Sequence, residues 1–370
     1  MVNWQNKTVS VGIDLHKTQF TVCAITSKRE ILFEAVYNTE TEGYKSFISR
    51  CHSLEEEYGA HVSMAIEATS NARYFRNLME NENFFIVVIN TLKFKVITQS
   101  AKKTDKRDAF TIAEFLLKDM LPESYLCDQE TEELRKLICE RLDLVSLIVR
   151  TKNRIHNMML GYGIVTTAAQ FQSKKKRLLL LNGLENHALI TKRTVPTLKR
   201  LIQTLDILNE QVKQIEALIE EFTLEDEDTQ LLQTIPGIGK ITSTTIRAYV
   251  GDINRFETYK QFAAYCGLTP FVKFSNEKGF TGHITKNGPV ELRTSMVQAV
   301  MGMLRLQKSL RYMSLINDYK RMKKNKGSGK SIIAFARKLS RVIYAILKNK
   351  TPFDIDRLTV DYIRRQTEVV

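Results

Sequence analysis

Near the start of the chain apolar and polar positions alternate, the two-residue period of a strand with one covered face. Val9, Val11 and Ile13 make the first such run, Phe20, Val22 and Ala24 the second, and the stretch from Ile31 to Tyr37 the third. Three short strands joined by tight turns predict a β-meander. Thr41 to Tyr58 then has the spacing of an amphipathic helix, and Val62, Met64 and Ile66 predict a fourth strand. Phe84 to Asn90 is continuously apolar, as in a strand covered on both faces. With the helix-like run from Lys102 to Phe115, the order is three strands, helix, strand, helix, strand, helix.

From about Glu130 the period changes to that of helices. Leu134, Ile138, Val145, Ile148, Ile155 and Met159 form an apolar stripe that ends at Gly161 and Gly163. A cationic stretch, Lys174 to Arg177, follows without clear periodicity. Leu198, Leu201, Leu205, Leu208, Val212, Ile215, Ile219 and Phe222 are then spaced alternately by three and four, a heptad seam that predicts a coiled coil. Its partner is either the preceding helix of the same chain or a second copy. Leu224 to Asp228 reads as an acidic linker. Beyond it, Glu291 to Met303 and Ile332 to Leu347 predict helices. Phe271 to Pro289, rich in Gly, Lys and Ser, reads as a loop, and so does the basic run Lys320 to Lys330. The resulting domains are residues 1–125, a helical coiled-coil region 126–226, and a mostly helical domain 227–370.

Composition narrows the classes of function. The 370 residues carry 55 Lys and Arg against 41 Asp and Glu, a net charge of +14. An excess of this size favours a polyanionic partner, most often nucleic acid. No apolar run approaches the roughly 20 residues that span a bilayer, and the N-terminus lacks the apolar core of a signal peptide. The five cysteines have no ligand spacing and read as free thiols in a reducing cytosol, which argues against zinc.

The candidate chemistry lies in carboxylates. Asp105 and Asp108 are three residues apart at a helix start and therefore share a face. Asp14 and Glu67 each stand at the end of a predicted strand. Acids at two strand ends, joined by a facing pair from a helix, converge in the ribonuclease H-like fold. Four such acids suit two divalent ions about 3.5–4 Å apart, clamping the attacking and leaving oxygens of a phosphodiester. Lys102, Lys103, Lys106 and Arg107 would let a phosphate backbone approach.

Ile235-Pro236-Gly237-Ile238-Gly239, followed by Lys240, fits the hairpin of a helix-hairpin-helix module, whose glycines let backbone N–H groups meet a phosphate. A purely structural αα-hairpin fits it equally well. Ser275 sits among Lys273, Lys278 and Lys286, and spacing alone marks it as an ordinary solvated serine.

Taken together, VGIDLHK with Asp14, AIEATS with Glu67, KTDKRDA with Asp105 and Asp108, IPGIGKITS, FAAYCGLTP and GHITKNGPVELR resemble the DEDD-type insertion-sequence transposases of the one-ten family, the bridge-RNA-guided recombinases. The resemblance runs over nearly the whole chain. It departs from the family at Ser70, where glycine is common. It implies a RuvC-like (ribonuclease H-like) domain holding Mg²⁺, with Mn²⁺ a possible substitute, on Asp14, Glu67, Asp105 and Asp108. It further implies Ser275 as nucleophile, with Ser243 as the fallback. The implied partners are donor DNA, target DNA, a guide RNA and further copies of the chain as a homodimer or tetramer. The implied location is the bacterial cytoplasm, at the nucleoid when acting. Because the serine and the acids lie in separate regions, the resemblance is compatible with a site completed by different subunits. The rival expectation is a metal-dependent junction endonuclease that uses water.

Overall fold

A computed structural model of the protein describes residues 8–97, 105–275, 278–306 and 313–355. The chain divides into two compact units, Met1–Cys127 and Asp128–Val370. The first holds a five-stranded sheet with helices on both faces.

That sheet is built from β1 (Thr8–Leu15), β2 (Gln19–Ile25), β3 (Ile31–Asn38), β4 (His61–Glu67) and β5 (Phe85–Ile89), in the order β3-β2-β1-β4-β5. β1 is central. It pairs antiparallel with β2, and β4 and β5 continue the sheet in parallel. The predicted meander and crossover strands are all present, because the large apolar side chains that alternate along them line one face of the sheet. Val9, Val11, Ile13, Val62, Met64 and Ile66 point to one face. There they pack with Phe47, Cys51 and Leu54 of α1 (Thr41–Tyr58) and Phe75 and Met79 of α2 (Ala72–Asn81). A short helix that the pattern did not predict, α3 (Thr91–Ile97), follows β5.

The opposite face receives α4 (Asp105–Leu117), whose small residues Ala109 and Ala113 are buried with Cys23 and Ile25 of β2. The closeness of this contact depends on Gly12. A Cβ at Gly12 would lie 2.0 Å from the Ala109 carbonyl oxygen and 2.4 Å from the Ala113 nitrogen, both rigid backbone atoms. Two ion pairs tie the same helix to the meander, Arg29–Glu114 at 2.5 Å and Lys106–Glu34 at 3.7 Å.

The second unit begins with α5 (Gln129–Leu160), capped by the Asp128 side chain, which accepts from Thr131 N at 2.7 Å. It packs along α7 (Val195–Glu221) within the chain. Ile148 and Ile155 meet Leu198, Ile202, Leu205 and Leu208, while Leu134 and Ile138 share a core with Ile215 and Ile219. The two helices are therefore antiparallel, and residues on both sides of the predicted heptad seam are covered by the same chain. Between them α6 (Lys174–Glu185) begins at the cationic stretch, with Ser173 as its cap. Arg177 is buried there, donating to Asp206 Oδ1 at 2.7 Å and to the Phe171 carbonyl at 2.9 Å.

The core containing Ile215 and Ile219 continues into α8 (Glu227–Gln233), α9 (Lys240–Val250), α10 (Tyr259–Tyr265), α11 (Val290–Leu304), α12 (Met313–Lys326) and α13 (Ser328–Asn349). Three expectations are corrected here. The acidic stretch is a helix start rather than a linker: Asp226 accepts from Thr229 N at 2.7 Å and pairs with Arg247 at 3.1 Å. The basic run 320–330 is helical except at Gly327, whose φ of 76° breaks α12 from α13. Lysine is a good helix former, and only the glycine interrupts it. The third correction concerns Phe271 to Pro289, where β6 (Pro270–Ser275) and β7 (Lys278–Ile284) form an antiparallel hairpin in place of much of the expected loop.

Gly12→Ala is expected to cost stability at the upper end of the roughly 1–3 kcal/mol of an overpacked core, because the clashing atoms belong to a helix backbone. Urea unfolding of the full-length variant, with hydrogen exchange faster in β1 and α4, checks it.

Candidate metal centre

The β1–α4 contact governs where the acids lie. On β1 the side chains alternate, so the face that carries Gly12 also carries Asp14. The parallel register pairs Ile13 with Ile66, which sets Asp14 and Glu67 level at adjacent strand ends. Glu67 and Ala65 point the same way, and Ala65 is buried against Ile112 of α4. Asp105 and Asp108 occupy the first turn of α4. Carboxylates are favourable there, next to the positive end of the helix dipole.

The electrostatics show crowding. Burial pushes the Asp14 carboxyl above the ordinary carboxylate range; His16 opposes this, and the negative charges of Asp105 and Asp108 add to it. Both α4 acids therefore lie within electrostatic reach of the strand-end acid. A residue the sequence reading did not include, His16, joins them. Its Nε2 lies 3.1 Å from Asp14 Oδ2 and 4.0 Å from Asp105 Oδ2. Asp14, His16 and Asp105 are the one group of metal-ligating side chains so clustered among the described residues. The signal for it was the sequence DLH, in which the histidine stands two residues after the strand-end acid.

The loops around this cluster are tied to each other. Asn71 Nδ2 donates to the His16 carbonyl at 3.0 Å, and Thr69 Oγ1 donates to Asn71 Oδ1 at 3.0 Å. Ser70 lies in this turn, and its φ is not positive, so the position common to glycine in the family has no need of one here. The clustered donors are two carboxylates and one imidazole, with Asp108 in electrostatic reach; the carboxylate oxygens suit a hard divalent cation. Like charges crowded in a partly buried place supply the reason for one to bind.

The remaining predicted residues fall elsewhere. Lys102 and Lys103 lie outside the described residues. Lys106 is paired with Glu34, and Arg107 is exposed. Gly237, at φ 87°, is held backbone to backbone against α11: its Cβ would lie 2.2 Å from Met303 N, and a Cβ on Gly302 would lie 2.4 Å from the Gly237 oxygen. This glycine is required by packing. Gly239, in contrast, precedes α9 with open space around it, and Lys240 reaches Glu220 at 2.8 Å. Ser275 is the last residue of β6 and pairs with Lys278. The base of that hairpin is fixed by Thr285 N donating to the Thr269 carbonyl at 2.9 Å and by Arg293 donating to the Lys286 carbonyl at 3.1 Å. Ser243 is buried and donates to the Lys240 carbonyl, which leaves it no access to a substrate.

A five-stranded sheet of this order with acids gathered at its central strand end is compatible with the DEDD class of ribonuclease H-like domains. Comparison with known proteins agrees. Residues 11–164 match the DEDD transposase model of the IS110 type, and residues 229–314 match the transposase model of the IS116/IS110/IS902 family. The transposase for insertion sequence element IS1111A of Coxiella burnetii is 25% identical, covering 93% of this chain and 90% of the relative. The transposase for IS1328 of Yersinia enterocolitica is 28% identical over 78% of this chain and 85% of its own length. The pilin gene-inverting protein of Moraxella lacunata is 25% identical over 93% and 97%. The chain belongs to the IS110 family of transposases. Among the described residues no helix is long and apolar enough to cross a membrane.

The crowding at Asp14 has a consequence for stability. A carboxyl whose folded pKa is raised contributes stability that is present in acid and is lost as the pH rises through the folded value. In chelator at pH 7, Asp14→Asn should therefore melt at or above the wild-type temperature, and the difference should vanish as the solution is acidified below the ordinary carboxylate range. Adding Mg²⁺ should raise the wild-type melting temperature and leave the variant unmoved. Thermal melts with and without the ion check both.

Proposed function

We propose that this transposase is a metal-dependent, RNA-guided recombinase that exchanges DNA strands through a covalent link to Ser275. The observation that carries the metal part of this reading is the gathering of Asp14, Asp105 and Asp108 around one strand end. Glu67, level with Asp14 on β4, would complete the set. Such a centre fits Mg²⁺, or Mn²⁺ in its stead, held by these carboxylates. Bound there, the ion would polarise the phosphodiester and offset developing negative charge.

The chain's own residues account for the remaining chemistry. The Ser275 hydroxyl attacks a DNA phosphorus, a bond forms between Oγ and phosphorus, and the bond from phosphorus to one sugar oxygen breaks. The hydroxyl proton ends on the departing sugar oxygen. One phosphodiester replaces another, so little free energy is lost, and the hydroxyl of a second strand can reverse the step to join new partners. An unassisted serine hydroxyl is a weak nucleophile and needs activation. Support for Ser275 comes from its position five residues after Pro270 of the GLTP motif, in a hairpin whose base is held by the Thr269 and Arg293 contacts.

Guidance by RNA rests on the family resemblance and on charge. A net +14 suits contacts to nucleic-acid backbones, which give affinity without reading sequence. Lys102, Lys103, Lys106, Arg107, Gly239, Lys240 and Lys286 are the proposed backbone contacts; Gly237 would contribute through its packing. Relatives described as inverting a pilin gene fit a strand-exchange activity, and action as a dimer or tetramer in the cytoplasm fits it too.

The decisive test is a denaturing gel of the protein with Mg²⁺, labelled donor and target DNA and the RNA encoded beside the gene. Wild type should give a slow-migrating, protease-sensitive DNA band that Ser275→Ala lacks. Cleavage by both proteins without such a band would favour a water-using nuclease in which the four acids act alone.

A further inference from the structure

His16 is the one group beside the carboxylates to which the reaction above gives no work. Its backbone is fixed on both sides. His16 N donates to the Gln19 carbonyl at 2.9 Å, and its own carbonyl accepts from Asn71. The next residue is held as well, since Thr39 Oγ1 donates to the Lys17 carbonyl at 2.8 Å. A ring on so constrained a loop has few places to go, and it points at the acids.

The separations indicate what the group can hold. In an octahedral site with metal–ligand distances of about 2.1 Å, adjacent donors are about 3.0 Å apart and opposite donors about 4.2 Å. His16 Nε2 is 3.1 Å from Asp14 Oδ2, the spacing of adjacent donors, and 4.0 Å from Asp105 Oδ2, close to that of opposite ones. The three ligand atoms all lie within 4.8 Å of one another. His16 is half exposed and Asp105 is exposed, at 51% and 55% of their side chains, so an ion can enter from solvent without opening the core.

Resting on the metal site read above, we propose that His16 Nε2 ligates an ion together with Asp14 and Asp105, and that this makes the site take a first-row transition ion such as Mn²⁺ in preference to Mg²⁺. Mg²⁺ keeps oxygen donors and gives up its water reluctantly. Imidazole suits first-row transition ions, and selectivity among divalent ions follows ligand type and geometry. One nitrogen in a carboxylate set therefore shifts the preference without changing the charge that binds either ion. The competing role is simpler: His16 holds Asp14 by a hydrogen bond and touches no metal.

The test uses the full-length protein with Mn²⁺ or Mg²⁺ alone and no DNA. Pulsed electron paramagnetic resonance of the Mn²⁺-loaded wild type should show coupling to a nitrogen nucleus, and His16→Gln should abolish it. Calorimetry should find Mn²⁺ bound about tenfold more weakly by His16→Gln, the scale of losing a supporting group at a metal site, with Mg²⁺ affinity nearly unchanged. Glutamine retains a side-chain donor for Asp14, so the hydrogen-bonding role alone would survive the substitution. Mn²⁺ bound equally by both proteins with no nitrogen coupling would overturn the ligand role and leave the carboxylate site standing. Failure of the wild type to bind either ion, or undiminished binding by Asp14→Asn, would overturn both. The nitrogen signal of the wild type decides the matter even if the variant folds poorly.

Discussion

The contact between Gly12 and the Ala109–Ala113 turn is the constraint on which the N-terminal unit's chemistry depends. Ordinary side chains at the crossing would hold a helix away from the strand backbone beneath it. Here a glycine on the strand and two alanines on the helix remove the intervening atoms, and α4 settles onto β1. The residues that permit the approach lie within a few positions of the acids it brings together, Gly12 two before Asp14 and Ala109 one after Asp108. Packing and function are thus written into the same short motifs. The ion pairs Arg29–Glu114 and Lys106–Glu34 add two ties between the same helix and the meander.

The same close approach creates an electrostatic conflict. Acids at a helix N-terminus are individually favourable, but here two of them stand next to a partly buried third, whose carboxyl is raised first by its burial and further by their charges. A protein with an excess of 14 positive charges has ample cations to neutralise such a place, yet two basic side chains of the described residues around α4 are paired elsewhere: Arg29 with Glu114 and Lys106 with Glu34. Leaving the acids to an external ion is what a metal-binding role calls for. His16 partly relieves the conflict in the meantime.

Much of this was readable from residue order. The strands are readable in β1, β2 and β4 because every second residue on one face is a large apolar side chain packed under α1 and α2, while the other face, also largely buried, is held by small or polar residues such as Ser10, Gly12 and Thr21. Element order predicted that Asp14, Glu67, Asp105 and Asp108 would converge; Asp105 and Asp108 lie within electrostatic reach of Asp14, and Glu67 stands level with it on β4. What escaped reading has physical reasons. The hairpin of β6 and β7 belongs to a two-stranded ribbon with Lys, Gly and Ser at many positions, and contacts distant in sequence, Thr269–Thr285 and Arg293–Lys286, hold its base. The second half of α12 and the first turn of α13 look like a charged loop because a solvated lysine-rich face carries little apolar period. Gly237 suggested a phosphate contact, but a glycine needed for backbone approach reads the same whether the neighbour is a phosphate or another helix, and here it is Gly302. His16 was passed over because its one signal, a position two residues after Asp14, is short and common, and only the fold of the following loop turns the ring toward the acids.

The measurement that bears most directly on this account is an anomalous-difference map from crystals of the full-length protein soaked in Mn²⁺. A peak is expected between the end of β1 and the first turn of α4, within bonding distance of Asp14 and Asp105. A map with no peak there at saturating Mn²⁺, or with the ion bound only at other carboxylates, would contradict it.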